Sequence, residues 1–463
     1  MKEKNLTGQR EKLGSRLGFI LISAGCAIGI GNVWKFPYVT GQYGGGFFVL
    51  IYLLFLIIMG IPVLTMEFSV GRAAQKSPTL MHKALTPRKH AWRAHGIIAL
   101  LGNIILMMFY TSVTGWMLQY FTYMVGGKFE GLTDSDVPSV FSEMLSSPST
   151  LILFMGFVVL VGFLVCSFKI DKVLERVSKV MMIALLVLIV VLAIHSLTLS
   201  GAAEGLKFYL VPSLQSIKNA GILNVIVAAM NQAFFTLSLG IGSMAIFGSF
   251  IDKKRALLGE SVTIATLDTF VAITSGLIIF PACFTYGITP DAGPNLIFVT
   301  LPTVFINMPG GRIWGTLFFL FMSFAALSTI FAVFQNIISC VCDLFKISKK
   351  TACLACGVGM FLLSIPCVLG FNVWREFQPF GSGSGVLDLE DYIVSNIILP
   401  VGSLLFILYC TRKWGWGFDN FMREANTGKG LKVKRFMRFY FTYGLPIIVL
   451  VILIYGAVSP FIN

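Results

Sequence analysis

Charged residues are scarce: 12% of the 463 positions are Asp, Glu, Lys or Arg, about half the share of an ordinary soluble domain. A soluble globular enzyme is thereby excluded. Histidine is rarer still, with four residues, and His82, His90, His95 and His195 all fall in loops or at helix ends. An enzyme working inside a membrane would need a nucleophile with its base, or a cluster of metal ligands, and no such constellation occurs. Cysteines number nine, an odd count, and Cys26, Cys166, Cys283, Cys340, Cys342 and Cys367 lie inside apolar stretches, where small apolar residues pack. No disulfide framework is indicated. Cys353 and Cys356 form a C-x-x-C without a second ligand pair or a nearby histidine, so helix packing explains them better than a metal or redox site.

What the sequence has instead is apolar bulk, 56% of all residues including 42 Phe, which a disordered chain does not carry. Crossing a hydrocarbon core of about 30 Å takes around 20 helical residues. Eleven stretches qualify, near residues 17–40, 46–71, 97–125, 150–168, 177–199, 221–250, 261–288, 313–344, 352–371, 393–411 and 441–459. The first is read as a retained helix and not a secretory signal, because it runs on through Gly29, Asn32 and Lys35 without a cleavage-like end. The net charge of +14 is a matter of topology. With the N-terminus in the cytoplasm, outside segments hold Lys35, Lys128, Lys207, Lys218, Arg312 and Arg375, and inside segments hold the other 29 of the 35 Lys and Arg. That asymmetry orients the chain, with its C-terminus outside after eleven crossings, and no nucleic-acid partner is implied. The expectation is an all-α membrane protein in which residues 1–463 form a single transmembrane domain.

Two spans interrupt their own helical pattern. Gly25-Cys26-Ala27-Ile28-Gly29-Ile30-Gly31-Asn32 in the first and Thr236-Leu237-Ser238-Leu239-Gly240-Ile241-Gly242-Ser243 in the sixth place glycines and polar groups at mid-membrane depth, where backbone can unwind. Close packing through small residues accounts for either segment alone. Their five-span offset points instead to an inverted repeat with helices 1 and 6 discontinuous: a first half near 17–199, a second near 221–411, and an extra helix near 441–459. An unwound segment offers carbonyls from one half-helix and N–H groups from the other, and so can hold a cation beside an anionic group. Asn32, Thr236, Ser238, Ser328 and Thr329 supply the neutral oxygens that hard cations prefer, although bonding back to the helix is the commoner use of membrane Ser and Thr. Only Glu67 and Asp268 are acids clearly inside spans, and each needs a role. Glu67 is expected to accept N–H groups freed by an unwound neighbour, the alternative being a place near Arg72; Asp268 has no base within a helical turn or two and reads as a cation ligand. Residues 289–312 hold four prolines around Leu296 to Asn307, which suggests an outside loop with a short re-entrant or capping helix.

At Gly29-Ile30-Gly31-Asn32-Val33-Trp34-Lys35-Phe36-Pro37-Tyr38 the sequence resembles the neurotransmitter:sodium symporter family, whose first helix carries G-x-G-N-x-W-R-F-P-Y. The resemblance continues through Gly60-Ile61-Pro62, Glu67, Gly71-Arg72, Tyr110, Trp116, Phe235 to Gly242, Ala325 to Thr329, and Leu387-Asp388 with Asp391. Eleven spans resemble the bacterial branch, since animal members have a twelfth. The resemblance implies two sodium ions. One would be held by Ala27, Asn32, Thr236, Asp268 and the substrate carboxylate; the other by Gly25, Ile28, Ala325, Ser328 and Thr329. The substrate carboxylate would also meet Ile30, Gly31 and Tyr110, and its ammonium the carbonyls near Ala27, Phe235, Thr236 and Ser238. Leu106, Phe235, Ile241, Thr329 and Val333 would line the side-chain pocket.

Monoamine carriers of the family place an aspartate at the position of Gly29, so its absence implies an amino acid that brings its own carboxylate. The apolar lining implies a neutral one, since an unmatched buried charge costs several kcal/mol. Lys35 with Asp391 resembles the outer gate, with Lys for the usual Arg, and Arg10 with Asp343 the inner gate. Leu13 stands where the family usually has Trp, and Phe250 where it often has Tyr. Chloride is not expected, because Asp268 supplies a fixed carboxylate where many relatives have Asn, while Ala272 stands where the leucine-transporting member has Glu. The whole implies a non-enzymatic, sodium-coupled importer of a neutral amino acid in the plasma (cell inner) membrane, with the lipid bilayer as its surroundings and its oligomeric state left open. Two other readings stand beside it: proton coupling through Asp268 and Glu67, and a nutrient sensor that does not transport.

Overall fold

The computed structural model describes residues 13–213, 221–288 and 294–458. Helix falls on every one of the eleven apolar stretches. α1 comprises two halves, Arg16–Ala27 (α1a) and Gly31–Gln42 (α1b). It is followed by α2 (Gly46–Ala74), α3 (His90–Val125), α4 (Pro148–Ser167) and α5 (Glu175–Leu197). α6 also has two pieces, Ile222–Thr236 (α6a) and Ser243–Gly248 (α6b). α7 (Leu257–Thr285), α8 (Gly311–Phe345), α9 (Lys349–Leu369), α10 (Val386–Thr411) and α11 (Met437–Val458) complete the set. Among the described residues, nine helices are long and apolar enough to cross a membrane and the bent α1 makes a tenth. α6 falls short only because 237–242 split it. No strand occurs among the described residues, only isolated bridges from Gly45 to Pro212 and from Arg255 to Lys429.

The interruptions have local causes. α1a stops where Ile28 turns extended (φ −72°, ψ 103°), and α1b leaves at 54° to it. In α6 the chain passes through the left-handed region three times, at Ser238 (φ 50°), Gly240 (92°) and Gly242 (69°). Glycine adopts such angles freely; Ser238 does so under strain, a state found mainly at functional sites.

A second device recurs along the spans. Wide π turns at Gly31–Lys35, Leu56–Gly60, Leu296–Thr300, Ile393–Ile398 and Tyr440–Gly444 each end two residues before a proline: Pro37, Pro62, Pro302, Pro400 and Pro446. Proline has no N–H for the carbonyl four residues earlier and its ring pushes that carbonyl aside, so the turn widens. In two cases a tyrosine takes the freed carbonyl. Tyr440 Oη donates to Ile58 O at 2.7 Å and Tyr120 Oη to Phe298 O at 2.8 Å, each four residues before its proline.

α8 lies at the centre, packed on α3, α5, α4 and α1a, and α6b packs on α2. There the backbones touch, for a Cβ on Gly71 would strike the Ala245 backbone and one on Gly248 the Phe68 backbone. α4, α9 and α11 turn Leu160, Leu354, Val358, Ile447 and Ile454 outward, a surface suited to hydrocarbon. Between α2 and α3, the buried His82 Nε2 lies 2.9 Å from His95 Nδ1, and the His82 ring packs against Trp92 and Tyr409, tying that connection to the end of α10.

Candidate functional site

The breaks in α1 and α6 face each other, with α3, α7 and α8 closing the sides. Where α1a ends against α8, five oxygens converge. The Ser328 hydroxyl lies 2.8 Å from Ala325 O, 3.1 Å from Gly25 O and 3.5 Å from Ile28 O, and the Thr329 hydroxyl lies 3.1 Å from Gly25 O and 3.3 Å from Ile28 O. Each hydroxyl has one proton. Two protons cannot serve five contacts, so the rest are lone pair against lone pair, an arrangement that a hard cation relieves.

A second polar cluster joins α1, α6 and α7 about the buried Asp268. Asn32 Nδ2 lies 2.8 Å from Asp268 Oδ1, 3.1 Å from Asp268 O and 2.9 Å from Thr236 Oγ1, and Thr236 Oγ1 donates to Asp268 Oδ2 at 2.9 Å. Asn32 Oδ1 accepts the Gly29 N–H at 3.2 Å, and Gln232 Nε2 donates to Gly31 O at 2.8 Å. Among the described residues no three His, Cys, Asp or Glu side chains gather as metal ligands. The donors on hand are those of an alkali or alkaline-earth ion.

Between these clusters lies a cavity of about 20 Å³, lined by Ala27, Gly31, Leu106, Tyr110, Phe235, Ser238, Ile241 and Thr329. Gly29, where monoamine carriers place an aspartate, lines it too, as do Cys26 and Leu399, which the sequence reading did not single out. Cys26 and Gly29 sit within the glycine-rich break; Leu399 follows the π turn of α10, and no sequence signal marks it. Ile30 N–H donates to Tyr110 Oη at 2.9 Å. Val333 is buried on α8, one turn beyond Thr329, and is not part of the lining. Ser238 Oγ donates to Cys26 O at 3.3 Å. A Cβ on Gly29 would collide with the hydroxyls of Tyr110 and Thr329, so a larger residue there would displace both.

Beside the cavity, Glu67 Oε1 accepts the Gly240 N–H at 2.5 Å from the unwound part of α6. Arg72 turns elsewhere, to Glu424 Oε1 (2.6 Å) and Arg255 O (2.7 Å). Above the cavity, Lys35 Nζ sits 3.0 Å and 3.2 Å from the two Asp391 carboxylate oxygens, 3.2 Å from Ser395 Oγ and 4.1 Å from the centre of the Phe235 ring. The ammonium thus caps the ring that roofs the cavity.

At the other end, Arg10 lies outside the described residues. Asp343 accepts the Ser77 N–H at 2.9 Å, and Leu13 N–H donates to Phe250 O at 3.4 Å. Three anchors of α1a went unnoticed in the sequence. Arg16 Nε pairs with Glu260 of α7 at 3.0 Å. Glu175 of α5 accepts the Gly14 N–H and the Ser15 hydroxyl, each at 2.8 Å, and pairs with Lys179 at 2.6 Å. Acids in the first turns of α5 and α7, set against the basic start of the sequence, were the available signal.

The profile of the sodium:neurotransmitter symporter family matches residues 10–129 and 140–461. The chain is 35% identical over 451 residues to the uncharacterized sodium-dependent transporter YhdH of Bacillus subtilis (strain 168), a match spanning 96% of this chain and 98% of that protein. It is 26% identical to the sodium-dependent serotonin transporter of Drosophila melanogaster, over 96% of this chain and 76% of that protein. The crystal structure of MhsT in complex with L-phenylalanine superposes with a TM-score of 0.87 at 34% identity, covering 96% of this chain and 100% of that one. Its helices interrupted where the oxygens converge, the chain belongs to the sodium:neurotransmitter symporter family and is a multi-pass, sodium-dependent membrane transporter.

Proposed function

We propose that the protein is a symporter that carries a neutral, apolar amino acid into the cell with two sodium ions, by alternating access between two five-span halves, in the plasma membrane with its N-terminus inside. The observation that carries this reading is the five-oxygen cluster with only two hydroxyl protons, set beside a cavity whose lining bears no charged side chain. One sodium takes the Gly25, Ile28 and Ala325 carbonyls with the Ser328 and Thr329 hydroxyls. The other takes Ala27, Asn32, Thr236 and Asp268 and shares the carboxylate of the amino acid, which also faces the Ile30 and Gly31 amides and Tyr110. The solved relative bound to L-phenylalanine supports an amino acid as cargo.

A cavity of about 20 Å³ has room for about one water, so cargo enters only when the lining separates. Lys35 and Asp391 are the outer gate, and their release from the Phe235 ring opens the way. On the inside, α1a is held by Glu175 and Glu260 and must leave both to open.

Uptake of radiolabelled phenylalanine and leucine into proteoliposomes, with sodium or potassium outside, tests the proposal. Sodium should be required, and sodium and the amino acid should each raise the other's affinity, reciprocally by linkage. Asn32→Ala should reduce that coupling while Asn420→Ala in the inside loop should not. Uptake that is equal in sodium and potassium would refute the shared site.

A further inference from the structure

Two concave grooves open on the outward, apolar side of the helices. One, of about 600 Å³, is walled by α1a, α5 and α7 through residues such as Leu17, Ile183 and Leu267, with no cation in its lining. The other, of about 590 Å³, runs between α4 and α9 and differs in its chemistry.

Its length is that of one bilayer leaflet. It extends from Gly156 to Ser167 on α4 and from Lys350 to Phe361 on α9, in each case about 16 Å at 1.5 Å per helical residue, against about 15 Å for half a hydrocarbon core. Its section is set by small and flat residues. Gly156 leaves the Phe361 ring so close that a Cβ there would approach it to 2.9 Å, and the floor residue Phe163 stacks on Phe334 of α8 at 4.1 Å. The walls, Leu160, Leu164, Leu354 and Val358, are exposed.

Its mouth is basic. Lys350 lines the groove and Lys169 lies two residues beyond the last lining residue of α4, Ser167, both exposed; among the described residues neither has an acidic partner. Lys349 Nζ donates to Phe168 O at 2.7 Å, which pins the two helix ends together. α9 starts here as well, its N-cap Ser348 accepting the Thr351 N–H, so the positive end of a 21-residue helix dipole adds to the two ammonium groups.

We infer that the α4–α9 groove binds an anionic phospholipid, with one acyl chain lying between Leu160 and Val358 and the phosphate diester held by Lys169 and Lys350. That the lipid belongs to the cytoplasmic leaflet rests on the inside placement of the start of α9 under the proposed topology; the groove and its charge do not depend on what the protein transports.

The test uses the full chain in phosphatidylcholine vesicles doped with a phosphatidylglycerol that carries a photoreactive diazirine on its acyl chain, with crosslinks mapped by peptide mass spectrometry. Peptides 156–167 and 350–361 should be labelled well above the outward face of α11. A lysine near an anionic surface is worth about fivefold in binding, so the double variant Lys169→Gln, Lys350→Gln should reduce groove labelling by about fivefold or more. Val358→Trp, which fills the groove, should abolish labelling there and leave labelling of α11 as it was. A phosphatidylcholine probe that labels the groove as strongly as the phosphatidylglycerol probe, or groove labelling unmoved by either variant, overturns the inference. Sodium-dependent uptake by the same vesicles reads the transport proposal separately.

Discussion

Asp268 takes the Asn32 amide on one carboxylate oxygen and the Thr236 hydroxyl on the other, and among the described residues no basic side chain pairs with it. In a poorly hydrated place a fixed negative charge balances incoming cations far better than it would in water. It can therefore stand in for a mobile anion. Uptake in sodium gluconate should match uptake in sodium chloride, and Asp268→Asn should either lose transport or gain a response to chloride. A variant that transports well without responding to chloride would show that Asp268 does not balance the ions. Gly29 makes a sharper case. Because its missing Cβ leaves room for the Tyr110 and Thr329 hydroxyls, Gly29→Ala should lower uptake by tenfold or more, on the order of the 1.4 kcal/mol that a displaced polar contact costs, with thermal stability as the check on folding.

At the scale of helices, the Lys35–Asp391 ion pair caps the Phe235 side of the cavity. Lys35 offers a single ammonium where an arginine would present a planar fork, and it splits its contacts among Asp391, Ser395 and the Phe235 ring. Asp391→Ala should favour the outward-open arrangement. A cysteine introduced near Tyr110, in a background cleared of native cysteines, should then react faster with an impermeant thiol reagent; an unchanged rate would remove this pair from gating. A separate expectation concerns the proline-led π turns. The Ile58 carbonyl freed by Pro62 is taken by Tyr440, and hydrocarbon offers no other donor. Tyr440→Phe should therefore destabilise the fold by about 1–3 kcal/mol, the cost of an unsatisfied buried acceptor, seen as a lower unfolding midpoint with transport selectivity unchanged.

For the molecule as a whole, acid should be destabilising in a traceable way. Burial, with His95 beside it, holds the His82 imidazole well below the ordinary histidine range. The unfolded chain binds a proton there below about pH 6.5 while the folded one does not, so stability present above that value is lost as pH falls. The unfolding midpoint should drop between about pH 7.5 and 5.5, and less so in His82→Phe. Much of this architecture was legible beforehand: the apolar stretches set where helices fall, and the glycine runs at 25–32 and 236–243 set where they break. The convergence of Ser328 and Thr329 on the Gly25 and Ile28 carbonyls was reached only through resemblance, since spacing within α8 cannot tell a hydroxyl bonded to its own helix from one turned across to α1. Leu399, Glu175 and Glu260 escaped because their roles depend on which distant helix they face.

The π turns carry a consequence for phase. Each holds one more residue than an α-helical turn, and one residue is about 100° of rotation. In α10 the turn Ile393–Ile398 stands between Asp391 at the ion pair and Leu399 at the cavity; in α1b the turn Gly31–Lys35 joins a cavity glycine to the lysine above it. Deleting one residue from either turn would swing the ion-pair partner about a quarter of a circle away from the cavity residue it now serves. Pro37 and Pro400, which belong neither to the ion pair nor to the cavity lining, thus fix the angular register between the two.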